Sequence, residues 1–171
     1  MTVAVETGLW QLDPARSTVA IKHKTMWGMV TVKGTIPGVT GEGEVQPDGT
    51  ASGTITLDVA SLDTKNAKRD THLRSADLFD ADRHPTITFA VRATAVGQDD
   101  TVEIDGQLTV RGISRPQSVT ARVTESGADA VTLTADFTVD REQFGMGWNQ
   151  MGMIRGLTTV TSTLAFTRAK A

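Results

Sequence analysis

Apolar side chains recur at every second position in segment after segment of this chain. Val19, Ile21 and His23 share one face of a segment whose other face is Ala20, Lys22 and Lys24, and Ile55, Leu57 and Val59 alternate with Thr54, Thr56 and Asp58. The pattern returns in Ile87, Phe89 and Val91, in Ile104, Leu108 and Val110 with Gly106 between them, and in Val119, Ala121 and Val123. It closes with Val131, Leu133, Ala135, Phe137 and Val139, then Val160, Ser162, Leu164 and Phe166. A period of two is that of a strand with one buried face, so these segments cannot settle as amphipathic helices. Threonine (27) and valine (17) outweigh isoleucine (7), and such β-branched side chains, stiff at χ1, suit a pleated, half-buried surface. The fold class is all-β, with about eight strands.

The interruptions follow turn chemistry. Trp10 and Leu12 point one way before Asp13-Pro14, a natural break because proline cannot serve in a central ladder. Gln46-Pro47-Asp48-Gly49 joins two neighbouring antiparallel segments, and further turns fall at Gly97 to Asp100 and Ser126 to Asp129. Between Ser61 and Phe79 the period changes, and Ser61 or Asp63 stands where a first turn needs a cap. One helical insertion of one or two short helices is predicted there, ended by Pro85. Eight antiparallel strands of alternating character admit a sandwich or a closed barrel, and a barrel interior holds side chains or one small ligand.

Composition removes several function classes. With no cysteine there is no disulfide, thiol nucleophile, iron–sulfur cluster or thiolate zinc site. Seventeen basic against twenty acidic residues, net charge −3, lack the excess that phosphate-backbone binding needs, so nucleic acid is not an expected partner. No apolar run reaches the roughly 20 residues of a membrane span. Met1 to Thr7 has neither a cationic start nor an apolar core, which points to a cytoplasmic location. At 171 residues, residues 1–171 read as one domain, able to bury a core without disulfides or a structural metal.

His23, His72 and His84 are the only imidazoles, and no two have helical ligand spacing, so no metal site is expected. Asp77, Asp80 and Asp82 lack the glycine and glutamate of a calcium loop and read as solvated carboxylates at a helix end. Asp140-Arg141, Arg111 and Arg115 read as residues that fix strand ends.

The string Trp10-Gln11-Leu12-Asp13-Pro14-Ala15-Arg16-Ser17, followed by Val19, Ile21 and Lys22-His23, resembles the opening of the YceI-like family. Ser61-Leu62-Asp63-Thr64, Asp70-Thr71-His72-Leu73-Arg74-Ser75-Ala76-Asp77-Leu78-Phe79-Asp80 and His84-Pro85-Thr86-Ile87-Thr88-Phe89 resemble its middle. The segment from Gly106 to Pro116 and Asp140-Arg141-Glu142-Gln143-Phe144-Gly145-Met146 match its later signatures in order. The resemblance covers Trp10 to about Phe166. It departs from the family in Met26, Trp27, Met29 and Val32 ahead of Gly34, and in Met151 to Leu157 before the last strand.

The resemblance implies a lipocalin-like, eight-stranded antiparallel β-barrel whose elongated apolar interior binds polyisoprenoid or similar long-chain lipids. It implies no catalytic residue and no cofactor, and many relatives look exported. The expected function is carriage or sequestration of a long isoprenoid chain, an isoprenoid quinone or a fatty acyl chain. Ile21, Val59, Phe89, Leu108, Phe137 and Leu164 are the expected dry lining, with Trp10 also at the ligand. Short inward residues (Val19, Gly106, Ala121, Ala135, Ser162) are expected to leave room. Burying about ten methylenes at roughly 0.8 kcal/mol each yields about 8 kcal/mol, near micromolar before ordering costs, so the ligand must be long.

His23 is expected as a polar contact to a head group or a buried, hydrogen-bonded residue. Met26, Trp27 and Met29, with Met146, Trp148, Met151 and Met153, form two flexible apolar segments suited to a ligand entrance or to a homodimer contact. The rival readings are an enzyme acting on a bound lipid and a stress-response or interaction domain with a filled core. If the two segments form the entrance, Trp27→Phe and Trp148→Phe will each change the tryptophan emission response to added lipid. A response identical to the parent's removes that assignment.

Overall fold

The computed structural model describes residues 7–25, 29–48, 50–97, 99–145 and 155–168. Ten strands run in chain order: β1 (Gly8–Leu12), β2 (Thr18–Thr25), β3 (Val30–Thr35), β4 (Val39–Val45), β5 (Ala51–Asp58), β6 (Thr86–Val96), β7 (Thr101–Val110), β8 (Ile113–Ser126), β9 (Ala130–Val139) and β10 (Arg155–Arg168). One helix, α1, spans Ala67–Arg74. Each strand pairs antiparallel with its neighbours from β4 through β10, and β1 pairs with both β4 and β10, which closes the sheet. Since β1 and β2 share one position beside β10, and β3 and β4 the next, ten strands make an eight-position barrel.

The break at Asp13-Pro14 is the joint between β1 and β2. Pro14 opens a 3-10 turn (Pro14–Arg16), and the Asp13 carboxylate accepts the Ala15 N–H at 3.1 Å. Register then carries the period-two residues to one face. Val160 on β10 faces Ile21 on one side and Phe137 on the other, and Phe89 faces Ile55 and Leu108. Pro116 lies in the half of β8 that pairs with β7 alone, since pairing to β9 begins at Ala121. There its missing N–H leaves no β9 carbonyl without a donor.

Arg111 and Gly112 form the two-residue turn between β7 and β8, both with positive φ (54° and 73°). That is the geometry whose twist matches antiparallel strands. A Cβ at Gly112 would also come within 2.8 Å of the His84 ring. The Arg111 guanidinium donates to the Gly145 carbonyl at 2.8 Å and Arg115 Nε to that of Gln143 at 3.2 Å. Both therefore hold the 3-10 turn Arg141–Phe144, which Asp140 caps by accepting the Glu142 N–H.

The connection from β5 to β6 differs from the sequence reading in its caps. A 3-10 turn at Val59–Ser61 is capped by Asp58, and α1 is capped by Asn66, not by Ser61 or Asp63. The reason is Asp63: its backbone bridges Thr35 and its carboxylate accepts the Lys65 N–H, so it is already engaged. Asp80 is buried rather than solvated, because its positive φ (52°) turns the chain back so that its N–H reaches the Ser75 carbonyl and its carbonyl accepts the His84 N–H.

Buried Asp70 holds the connection together. Its carboxylate accepts the Thr64 N–H at 2.9 Å and the Thr64 hydroxyl, while Arg69 donates to Thr64 Oγ1 and to its carbonyl. Val59, Leu78 and Phe144 pack with Ile87, Leu108 and Val110 at this end of the barrel. Asp70→Ala leaves two Thr64 donors without their acceptor. It is expected to destabilise the fold by about 1–3 kcal/mol, read as a lowered urea midpoint at unchanged slope.

A two-chambered apolar interior

The inner face alternates down the barrel axis between filled and unfilled layers. Near the β4–β5, β6–β7 and β8–β9 turns lies a chamber of about 490 Å³, walled by Trp10, Val102, Ile104, Val123, Leu133 and Phe166. Its size falls within the roughly 300–1,000 Å³ of ordinary ligand pockets. Gly43 on β4 and Gly53 on β5 are register partners and both line the chamber. A Cβ at Gly53 would lie 2.4 Å from the Glu42 carbonyl oxygen, so the close approach of β4 and β5 there requires glycine. Glu42, Glu44 and Asp48 border the chamber and make its margin acidic.

A smaller chamber, about 100 Å³, lies toward α1 and is lined by Ile21, Leu57, Leu108, Phe137, Val160 and Phe144, with Arg141 and Thr158 as polar members. Between the two, Leu12, Leu164 and Phe89 occupy inner-face positions that line neither chamber. Of the short residues, Val19 lines the smaller chamber and Gly106 lies at this waist against Phe89. A Cβ at Gly106 would meet the Phe89 ring at 2.5 Å, and one at Gly41 would meet Ile55 Cδ1 at 2.7 Å. Ala121 is 2% exposed, and the Ser162 hydroxyl donates to the Ala135 carbonyl at 3.1 Å. At Gly106, contrary to the sequence expectation, the small residue leaves no vacancy. Gly106 and Gly41 accommodate large neighbours, and the larger chamber lies toward the turns, lined in part by Gly43 and Gly53.

The expected ligand residues are distributed accordingly. Trp10 walls the larger chamber, and Ile21, Leu108 and Phe137 line the smaller. Phe89 and Leu164 stand at the waist, and Val59 is buried in its 3-10 turn among Leu78 and Ile87. Met29 lies at the turn before β3 and is 85% exposed. Met26, Trp27, Met146, Trp148, Met151 and Met153 lie outside the described residues. Their described flanks meet, since Arg155 is the register partner of Lys24. Sequence reasoning missed Gly43, Gly53, Arg141 and Thr158. Alternation marks inward positions, but only register shows that two glycines coincide.

His23 lies behind the polar lining of the smaller chamber, bonded to Thr158. Its Nδ1 lies 2.7 Å from Thr158 Oγ1, and its buried Nε2 has no hydrogen-bond partner among the described residues. Burial, and then the positive charge of Arg141, hold the imidazole below its ordinary pKa of 6.5. Burial likewise pulls the Arg141 guanidinium down, against the carboxylates of Glu142 and Asp140. His72 instead pairs with Asp77 at 3.0 Å on the surface. Among the described residues no group of three or more His, Asp or Glu could hold a metal, and no helix is long and apolar enough to cross a membrane.

A closed eight-position antiparallel barrel around a partly unfilled apolar interior is the architecture of the lipocalin-like barrels. The chain belongs to the YceI-like domain family, whose model matches residues 10–166. It is 38% identical over 76 residues to protein YceI of Escherichia coli O157:H7, a match that covers 44% of this chain and only 39% of that protein. Its fold is similar to that of BcnA from Burkholderia cenocepacia, at TM-score 0.81 and 23% identity over 90% of this chain and 98% of that one. It is also similar to a polyisoprenoid binding domain from Saccharophagus degradans implicated in plant cell wall breakdown, at TM-score 0.76 and 16% identity over 96% of this chain and 100% of that one.

The depressed pKa of His23 has a definite sign. The unfolded chain takes up a proton at this histidine near pH 6.5, whereas the folded chain resists until lower pH. The neutral ring's contribution is complete above the unfolded value and declines as pH falls from 6.5 through the folded value. Urea unfolding between neutral and mildly acidic pH should therefore show stability falling with acid, with a smaller fall in His23→Gln. Equal slopes for parent and variant would contradict this environment for His23.

Proposed function

We propose that this protein binds a long apolar lipid, a polyisoprenoid or an isoprenoid quinone, inside the barrel, and carries or sequesters it without covalent chemistry. The observation that supports this reading most is the chamber of about 490 Å³ walled by aliphatic and aromatic side chains. Apolar surface of that kind is stabilised when a hydrocarbon replaces water. The Saccharophagus degradans neighbour, described as a polyisoprenoid binding domain, supports the ligand class. Thr158 and Arg141, with His23 bonded to Thr158, offer polar groups to a ligand that reaches the smaller chamber.

A binding role is favoured over catalysis by the same polar group. The imidazole that touches Thr158 has Arg141, a cation, as its charged neighbour, and a cation neither orients a general base nor raises its basicity. Organic extraction of the purified protein followed by mass spectrometry should recover a prenyl or acyl lipid. An empty extract, together with no binding of added prenyl or acyl chains, would exclude the reading. Ile104→Phe places extra volume in the larger chamber and should weaken prenyl-chain binding by roughly tenfold or more while the unfolding midpoint moves little.

A further inference from the structure

The outer face of the β2–β3 hairpin concentrates positive charge on a chain whose net charge is −3. Lys22 and Lys33 are direct register partners, and Lys24 faces Thr31 on β3 and Arg155 on β10. Lys22, Lys24 and Lys33 are exposed and make no ion pair among the described residues. Like charges directly opposite across an antiparallel pair destabilise it, so the arrangement is a cost to the fold. Nearby acids do not offset it: Asp63, bridged to Thr35, is engaged by Lys65 at 3.3 Å, and Asp136 lies across β10, opposite Thr161.

Two large apolar side chains stand beside these cations. Met29, 85% exposed, lies at the turn leading into β3. Leu157, 52% exposed, lies in the irregular stretch of β10 between Arg155, opposite Lys24, and Thr159, opposite Lys22. The acidic turn residues Asp48, Asp99, Asp100 and Asp129 are at the opposite end of the barrel.

We propose that this face docks on the surface of an anionic lipid bilayer, with Lys22, Lys24 and Lys33 at the headgroups and Met29 and Leu157 entering the interface. Cations alone would suit any polyanion. Cations interleaved with exposed Met and Leu fit a surface whose anionic headgroups overlie hydrocarbon. Thr158, next to Leu157, lines the smaller chamber, so docking brings an end of the apolar interior against the bilayer. Docking goes beyond the ligand reading and stands whichever lipid the chambers hold.

The test is flotation of the full chain with vesicles of equimolar phosphatidylglycerol and phosphatidylcholine, against phosphatidylcholine alone. The chain should float with the anionic vesicles, be released by salt, and ignore the neutral ones. Combining Lys22→Gln, Lys24→Gln and Lys33→Gln should weaken binding about a hundredfold, near fivefold per charge, and relieving a like-charge pair should preserve the fold. Leu157→Asn, which leaves the charge unchanged, should also weaken vesicle binding, in low salt, without altering any retention on single-stranded DNA. Prenyl-chain binding, measured in parallel, should be unaffected by the lysine changes, so failure of one reading is separable from failure of the other. Absence of binding to anionic vesicles, equal binding to neutral ones, or retention on single-stranded DNA alone would overturn the proposal. So would a triple variant that aggregates yet still floats, since the lysines would then serve only to guard the β3 edge.

Discussion

Closure of this barrel depends on one strand being held by two. β10 pairs with β2 from Arg155 to Thr163 and with β1 from Phe166 to Arg168, and the handover occurs at Ala165. There the Asp13 N–H donates to the Ala165 carbonyl at 2.7 Å, while the Ala165 N–H donates to Ser17 Oγ at 3.0 Å. The Ser17 hydroxyl itself reaches the Asp13 carbonyl at 2.7 Å. A buried side chain thus completes the ladder where Pro14 breaks the backbone. Unmade, those bonds would leave a buried amide unsatisfied on the seam that converts an open sheet into a barrel.

Closure creates an interior, and the distribution of side-chain size divides it. At the waist Phe89 lies over Gly106, and Ile55 and Leu12 lie over Gly41, so no room is left beside either glycine. One layer toward the turns, two glycines coincide and the layer stays partly empty. At the far end Val59, Leu78 and Phe144, brought in by the long connections, fill most of the section and leave a small chamber beside His23 and Arg141. Filled layers supply stability, and the barrel tolerates one unfilled layer beside them.

Much of the polar signature from Ser61 to Asp80 and from Asp140 to Gly145 turns out to be architectural. Asp70, Asn66, Asp58 and Asp140 each accept backbone N–H groups that strands cannot satisfy, and Arg111 and Arg115 reach across to carbonyls of the Arg141–Phe144 turn. Such short polar motifs are needed because the connections at this end are irregular and partly buried. The polar groups beside the apolar space are fewer: Thr158 and Arg141, with His23 bonded to Thr158.

Alternation by itself determined that this chain forms antiparallel strands and which face of each is apolar, because the period of two is local and survives any arrangement of the strands. The turns at Gly97 to Asp100 and Ser126 to Asp129 were equally legible, because backbone preference acts there over a few residues. Tertiary structure alone decided that Gly43 meets Gly53, that Phe89 covers Gly106, and that Lys22 opposes Lys33. Those are facts of register and barrel closure between residues distant in the chain. Whether an inward glycine becomes a ligand space or a seat for a neighbour's ring depends on which side chain closure brings opposite it, and no local pattern carries that information.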